Sequence, residues 1–328
     1  MKKLGEFERI AHYFSPLVAG QSDALGLADD AAIVSPPPGM RMAVTADALV
    51  AGVHFLESDP ADRVARKALR VNISDLAAMG ADPYGYTITL ALPSGMENAE
   101  AWLEAFASGQ RSDHLTFGIR LLGGDSVSTP GPLTISVTAF GWIPEDRALL
   151  RSGARAGDDI FVSGTIGDSG LGLAVLRSEI ADIEGPDRGY LVDRYQLPEP
   201  RPMLGRALLR VASAALDVSD GLVQDLGHIA KASGVAANIA LPRVPVSAAA
   251  AALVRSGKSE PVNLIASGDD YELLFTAPKE AREAVLERAE EAGVPICRIG
   301  KILPGRGVYV VDEVGNEVAI ERRGYTHA

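Results

Sequence analysis

The sequence predicts a two-domain α+β protein, on three observations. Its 328 residues exceed what one hydrophobic core usually serves. The β-branched alternation in TITL at 87–90 and TISVT at 134–138 reads as half-buried antiparallel strand. Strands and helices also follow one another without strict βαβ alternation, which favours α+β over a doubly wound sheet. With 47% hydrophobic and 23% charged residues, the composition leaves no room for extensive disorder.

Leu4, Phe7, Ile10, Ala11 and Phe14 share one face at helical spacing, so the chain is expected to open with a short helix. Strands are expected at 31–34, at 41–49 after the turn SPPPG, at 84–92 and at 132–143. Two helices separate them. One runs from Asp59 as N-cap and Pro60 at the first turn to Gly80, and the other covers 98–113. The polar, glycine-rich stretch RSGARAGDDIFVSG at 151–164 marks the seam, giving domains 1–150 and 151–328. Beyond it, helices are expected at 171–176, 201–211, 221–233 and 279–293, and short strands at 214–219, 271–276, 295–300 and 307–311. The AAAAA run at 248–252 is a helix former.

A net charge of -12 argues against a nucleic-acid or anionic-membrane surface, because phosphate backbones are bound by fields of opposite sign. One cysteine, Cys297, excludes an intramolecular disulfide and a cysteine-rich zinc site, and it fits a reducing compartment. Glu6, Glu8 and Arg9 stand where a signal peptide needs an apolar run, and no 18-residue apolar stretch occurs. The expectation is a soluble, cytoplasmic protein.

Aspartates recur at strand ends and in glycine-rich turns: Asp29 and Asp30 in GLADDAAI, Asp47, Asp75, Asp125, Asp217, Asp220, Asp269 and Asp270. Taken singly, such a residue caps a helix or fixes a turn; Asp220 before Gly221 is an example. Asp75 resists that reading, since it lies inside a helix on the same face as Asn72. Several converging carboxylates need a hard cation, and aspartates without clustered His or Cys suit magnesium, which is typically held with substrate phosphates. The sequence therefore asks for a magnesium–nucleotide site. Gly257-Lys258-Ser259 ends like a Walker loop, but Ala252 stands where the leading glycine belongs. Phosphate cradling is instead expected from the glycine turns LGGDS at 122–126 and SGTIGDSG at 163–170, helped by Arg151.

In order, ADDAAI at 28–33, TADALVAGVHF at 45–55, NISDLAAMGADP at 72–83, LLGGDS at 121–126, RSGARAGD at 151–158, SGTIGDSGLGL at 163–173, DVSDGL at 217–222 and GDDYELLF at 268–275 resemble the thiamine-monophosphate kinase family. That family lies in the superfamily of aminoimidazole ribonucleotide synthetase and selenophosphate synthetase. The resemblance spans almost the whole chain; the 45–55 element and the C-terminal GYTH point to this kinase in particular. It implies transfer of the ATP γ-phosphoryl group to thiamine monophosphate, giving thiamine diphosphate, without a catalytic side chain of its own. It further implies an N-terminal α+β domain, mainly antiparallel, that binds ATP and magnesium and pairs its sheet in a homodimer, and a C-terminal α/β domain completing the nucleotide and substrate site. Matched by position, Asp30, Thr45, Asp47, Asp75, Asp125, Asp217 and Asp220 are magnesium ligands, Gly124, Asp125, Arg151 and Ser219 touch ATP, and His54, Asp269 and Tyr325 touch thiamine monophosphate.

Three positions depart from the family pattern. Ala46 stands where a hydroxyl is common, Asp269 where Glu is expected, and the chain ends THA after Tyr325. Two rivals remain at this stage. A sister activity such as aminoimidazole ribonucleotide synthesis is one, and a non-catalytic magnesium–nucleotide sensor is the other. Selenophosphate synthesis would need a reactive Cys in an N-terminal loop, and Cys297 is in the wrong half.

Overall fold

The computed structural model describes residues 5–181, 183–321 and 323–325. It divides into two compact units, one running to Leu76 and resuming at Asp82–Asp146, the other formed by Ala77–Ala81 and the chain from Arg147 onward.

The first unit begins with α1 (Glu6–Arg9), followed by a π turn at Ile10–Phe14 and a 3₁₀ turn at Ser15–Val18. The single amphipathic helix expected here is thus broken into short pieces; Tyr13 and Phe14 are buried, and Leu4 lies outside the described residues. Next come β1 (Met40–Val50), α2 (Ala61–Ala78), β2 (Asp82–Pro93), α3 (Ala99–Phe117), β3 (Arg120–Thr129) and β4 (Thr134–Pro144). The sheet order is β1-β4-β2-β3, with β2 and β3 parallel and the other pairs antiparallel. No strand forms at 31–34, where the three prolines that follow remove ladder donors and Ile33 is 68% exposed. Asp59 also departs from expectation: α2 starts at Ala61, and the Asp59 carboxylate accepts from the Leu56 N–H, 2.8 Å away.

Strand alternation gives this sheet a buried face and an exposed one. Leu49, Ile88, Leu90, Ile135 and Val137 face the core, while Met42 and Val44 are exposed. Asp113 of α3, fully buried, accepts from Arg66 and from both Nε and Nη2 of Arg70 on α2, which locks the two helices together.

His114, the next residue, meets the buried Tyr86 hydroxyl at 2.8 Å through Nε2. Burial pulls its pKa down to about 4. The folded state therefore resists protonation that the unfolded chain accepts below pH 6.5, so the contribution of His114 to stability falls as pH drops from about 6.5 to about 4. The loss is expected to reach roughly 3 kcal/mol at the acid end. Urea unfolding of the wild type and of His114→Gln at pH 7 and pH 4.5 checks this through the difference between the two proteins, since Asp225 titrates with the opposite sign: the wild type should lose stability relative to the variant on going to pH 4.5.

The second unit contains β5 (Asp159–Ser163), α4 (Asp168–Leu176), α5 (Gly185–Gln196), α6 (Pro202–Leu208), β6 (Ala214–Asp217), α7 (Leu222–Ser233), β7 (Ala236–Ala240), α8 (Ala248–Arg255), α9 (Pro261–Ala266), β8 (Leu273–Ala277), α10 (Arg282–Glu291), β9 (Ile296–Leu303) and β10 (Gly307–Val311). The six strands run in the order β10-β7-β9-β5-β8-β6, and only β10 with β7 pairs in parallel. Both faces are covered. Ile160, Val162, Leu216 and Leu274 join α7 residues such as Leu226 and Ile229 in one core cluster, while Phe161, Ala215, Leu273 and Phe275 join Leu204, Leu208 and Val285 in another. Strands with two buried faces read as continuous apolar runs, which is what IFVS and ELLFT are. Among the described residues, no helix is long and apolar enough to cross a membrane.

Candidate active site

In the first unit, β1 and α2 assemble one oxygen-rich group. Thr45 and Asp47, two apart, share a face of β1; Asn72 and Asp75, three apart, share a face of α2. The two faces meet, since Thr45 Oγ1 donates to Asp75 Oδ2 at 2.5 Å and the Asp47 N–H donates to Asn72 Oδ1 at 3.2 Å. Ala46 points to the opposite, exposed face, so the missing hydroxyl takes nothing from this group. His54 follows in the turn after β1, where its Nδ1 accepts from the Val50 N–H at 3.0 Å. In the neutral ring the proton then sits on Nε2, a donor.

Asp30, Gly124 and Asp125 form a second group in this unit. They line one cavity of about 590 Å³ together with apolar side chains such as Phe14 and Met42. Asp29 and Asp30 are both exposed on a loop, so their charges are not held in an apolar interior as the surrounding sequence suggested. LGGDS is not a glycine turn but part of β3: a Cβ on Gly124 would lie 2.1 Å from the Ile88 carbonyl oxygen, and its absence lets the parallel strands close. The two groups are not brought together within this unit. Asp47 is in register with Val137, Ile88 and Gly124, whereas Asp125 aligns with Thr89, Ser136 and Ala48, on the other face. β1 and β3 are the outer strands of the four, about 14 Å apart at the usual strand spacing.

In the second unit, Asp217 ends β6, 5% exposed, and the loop 218–221 leads into α7. Asp225 on α7 reaches back to this loop: its Oδ2 accepts the N–H groups of Ser219, Asp220 and Gly221, each at 3.0 Å. Burial raises the Asp225 pKa to about 7 despite those three bonds. Asp220, Asp225 and His228 each bring a ligand atom within 4.8 Å of the others. Asp269 joins the same loop through its N–H to the Ser219 carbonyl, 2.8 Å.

Tyr325 docks there too. Its N–H donates to the Asp220 carbonyl at 2.9 Å, and Gln224 Nε2 bridges Asp220 Oδ2 and the Tyr325 carbonyl. The structure thus gathers Asp217, Ser219, Asp220, Asp269 and Tyr325. The Tyr325 side chain is 40% exposed; Thr326–Ala328 lie outside the described residues. Arg151 is exposed in the loop before β5, and no ion pair holds its guanidinium among the described residues.

One expectation about phosphate loops changes, and the rejected Walker-like stretch is a helix end. In SGTIGDSG the Gly167 and Ser169 N–H groups donate to the Asp270 carboxylate, so they are already satisfied. Gly257-Lys258 is a helix C-terminus, with Gly257 at φ 71° and the Gly257 and Lys258 N–H groups returning to Val254 and Leu253. Lys258 Nζ donates to the Ala181 carbonyl. Lys258→Ala is accordingly expected to leave turnover within about twofold, a change worth less than about 0.5 kcal/mol; steady-state kinetics check it.

Residues 28–143 match the family model for the N-terminal domain of AIR synthase related proteins, and 155–313 match the model for their C-terminal domain. The chain belongs to this family. Among AIR synthase related proteins, it is 43% identical over 325 residues to "Thiamine-monophosphate kinase" of Caulobacter vibrioides, covering 98% of this chain and 90% of that one. The crystal structure of thiamine-monophosphate kinase from Stenotrophomonas maltophilia is 41% identical, with a TM-score of 0.82 over 90% of this chain and 93% of that one. A structure described as "AaThiL complexed with AMPPCP and TMP" is 34% identical, with a TM-score of 0.78 over 92% and 91%.

Asp225, Gln224 and Asp270 carry the second unit's loops; Asp270 stood in the aspartate pattern without an assigned role, and Asp225 and Gln224 did not stand out. The available signal for Asp225 was its place four residues after Gly221, where an acid at a helix start can satisfy free N–H groups.

Proposed function

We propose that this chain is an ATP-dependent kinase that transfers the γ-phosphoryl group to thiamine monophosphate, yielding thiamine diphosphate and ADP. The observation that carries this is 43% identity to a thiamine-monophosphate kinase along nearly the whole chain. The geometry supports it. A phosphate monoester acceptor with a second pKa of about 6 is already ionised at neutral pH, so no general base is required. What remains is positioning and charge neutralisation.

The chemistry of the donor set, hydroxyl and carboxylate oxygens of Thr45, Asp47 and Asp75, fits magnesium. Asp217 and Asp220 offer carboxylates within the second unit, and Asp30 and Asp125 offer them separately on the cavity wall of the first. Bound magnesium would supply neutralisation of phosphate charge. Gly124 and Ser219 contact ATP through their strand and loop, and Arg151, whose guanidinium is in no ion pair among the described residues, meets its phosphates. His54 Nε2 donates to the acceptor, Asp269 contacts it, and the Tyr325 ring lies against the cationic thiazolium. A homodimer would cover the outer sheet face at Met42 and Val44, 41% and 59% exposed. Cytoplasmic ATP and magnesium suit this reading.

The test is purified protein with ATP, magnesium and thiamine monophosphate, with free thiamine and EDTA as controls. Magnesium-dependent thiamine diphosphate from the monophosphate alone is expected. ATP binding with no product from any acceptor would mark a sensor instead.

A further inference from the structure

Asp269 sits in a loop whose backbone is under constraint. Asp269 and Tyr271 have φ of 69° and 51°, in the left-handed region that non-glycine residues rarely adopt. Between and after them, Asp270 and Glu272 turn inward and are 1% and 0% exposed. The Asp270 carboxylate accepts the Gly167 N–H at 2.7 Å and the Ser169 N–H at 3.3 Å, and its carbonyl accepts Arg194 Nη2. Glu272 accepts from Ser163 Oγ, from Arg194 Nη2 and from Nε and Nη2 of Arg201, all at 2.5–3.0 Å.

Asp270 and Glu272 are anchored inward, and beside these anchors Asp269 and Tyr271, both partly buried, hold their left-handed conformations. Three further backbone bonds, Asp269 to Ser219, Tyr271 to Val218 and Val218 to Glu272, each 2.8 Å, lay the turn alongside the 217–221 loop. We propose that Asp270 and Glu272 are positioning residues that aim Asp269 at the acceptor phosphate ester; this rests on the kinase reading above. Their effect falls mainly on the acceptor: the three backbone bonds tie the turn to Val218 and Ser219, but the N–H groups of Ser219, Asp220 and Gly221 keep their own acceptor in Asp225.

Asp270→Asn tests this, since its amide sets an NH₂ group against one of two N–H donors. The KM for thiamine monophosphate should rise at least tenfold while the KM for ATP changes less than threefold. Amide exchange at Gly167 and Ser169 should quicken, with Ser219–Gly221 unaffected. Should that variant not fold, Tyr271→Val and Tyr271→Asn decide: both delete the ring, but asparagine tolerates left-handed φ and valine does not. Valine should raise the acceptor KM at least five times more than asparagine.

Equal rises in both KM values, or equal effects of valine and asparagine, would overturn the proposal. Wild-type enzyme that makes no thiamine diphosphate strikes the kinase reading instead. The exchange pattern then still decides whether Asp270 holds the loop.

Discussion

Asp75→Asn is expected to lower kcat at least about 100-fold while the melting temperature moves by no more than a few degrees. The fold should survive because the asparagine carbonyl still accepts the Thr45 hydroxyl, a contact that joins α2 to β1. What is lost is a negative charge next to Thr45 and Asp47, and with it the affinity for the proposed magnesium ion. The magnesium concentration giving half-maximal rate should therefore rise together with the fall in kcat. Asp47→Asn should act in the same direction, since Asp47 meets Asn72 through its backbone N–H, which the substitution leaves in place. Steady-state rates across a magnesium titration, beside a thermal melt, read both effects; turnover within threefold of wild type would remove Asp75 from the cation site.

The parts of this architecture that were legible in the sequence are those with a local signature. β2 over 87–90 and β4 over 134–138 alternate Ile, Leu or Val with Thr or Ser because one face of their sheet is buried, and Asp75 stood out because an acid in mid-helix beside Asn72 has no capping task. β3 was misread for a physical reason: Gly123 and Gly124 are turn signals, yet Gly124 is there to let the Ile88 carbonyl approach in a parallel pairing that no short window reveals. α5 went unnoticed because its buried side chains include Arg194, Tyr195 and Gln196, so no apolar stripe marks it. Arg194 is inside because Glu272, 78 residues away, and the Asp270 carbonyl meet it there. Long-range pairing of this kind leaves no trace in periodicity.

Asp225 belongs to that hidden class, and its removal should be among the most damaging changes in the second unit. Asp225→Ala strips the acceptor from three N–H groups at once, in a site where Gly221 is buried and Ser219 and Asp220 are partly so. An unsatisfied buried donor costs about 1–3 kcal/mol, and partial rehydration of the outer two leaves an expected loss of roughly 3 kcal/mol. Activity should fall further than stability does, because the freed segment carries Ser219 and Asp220 and anchors both Asp269 and Tyr325. Asp225→Asn separates the causes. A carboxyl whose pKa is raised to about 7 is substantially protonated near neutrality, so an amide carbonyl in its place still offers the three N–H groups an acceptor. The asparagine variant is therefore expected to keep most of the stability and of the turnover that alanine loses. Urea unfolding and steady-state kinetics on the pair measure this, and equal losses in the two variants would show that it is the negative charge, not the acceptor, that holds the loop.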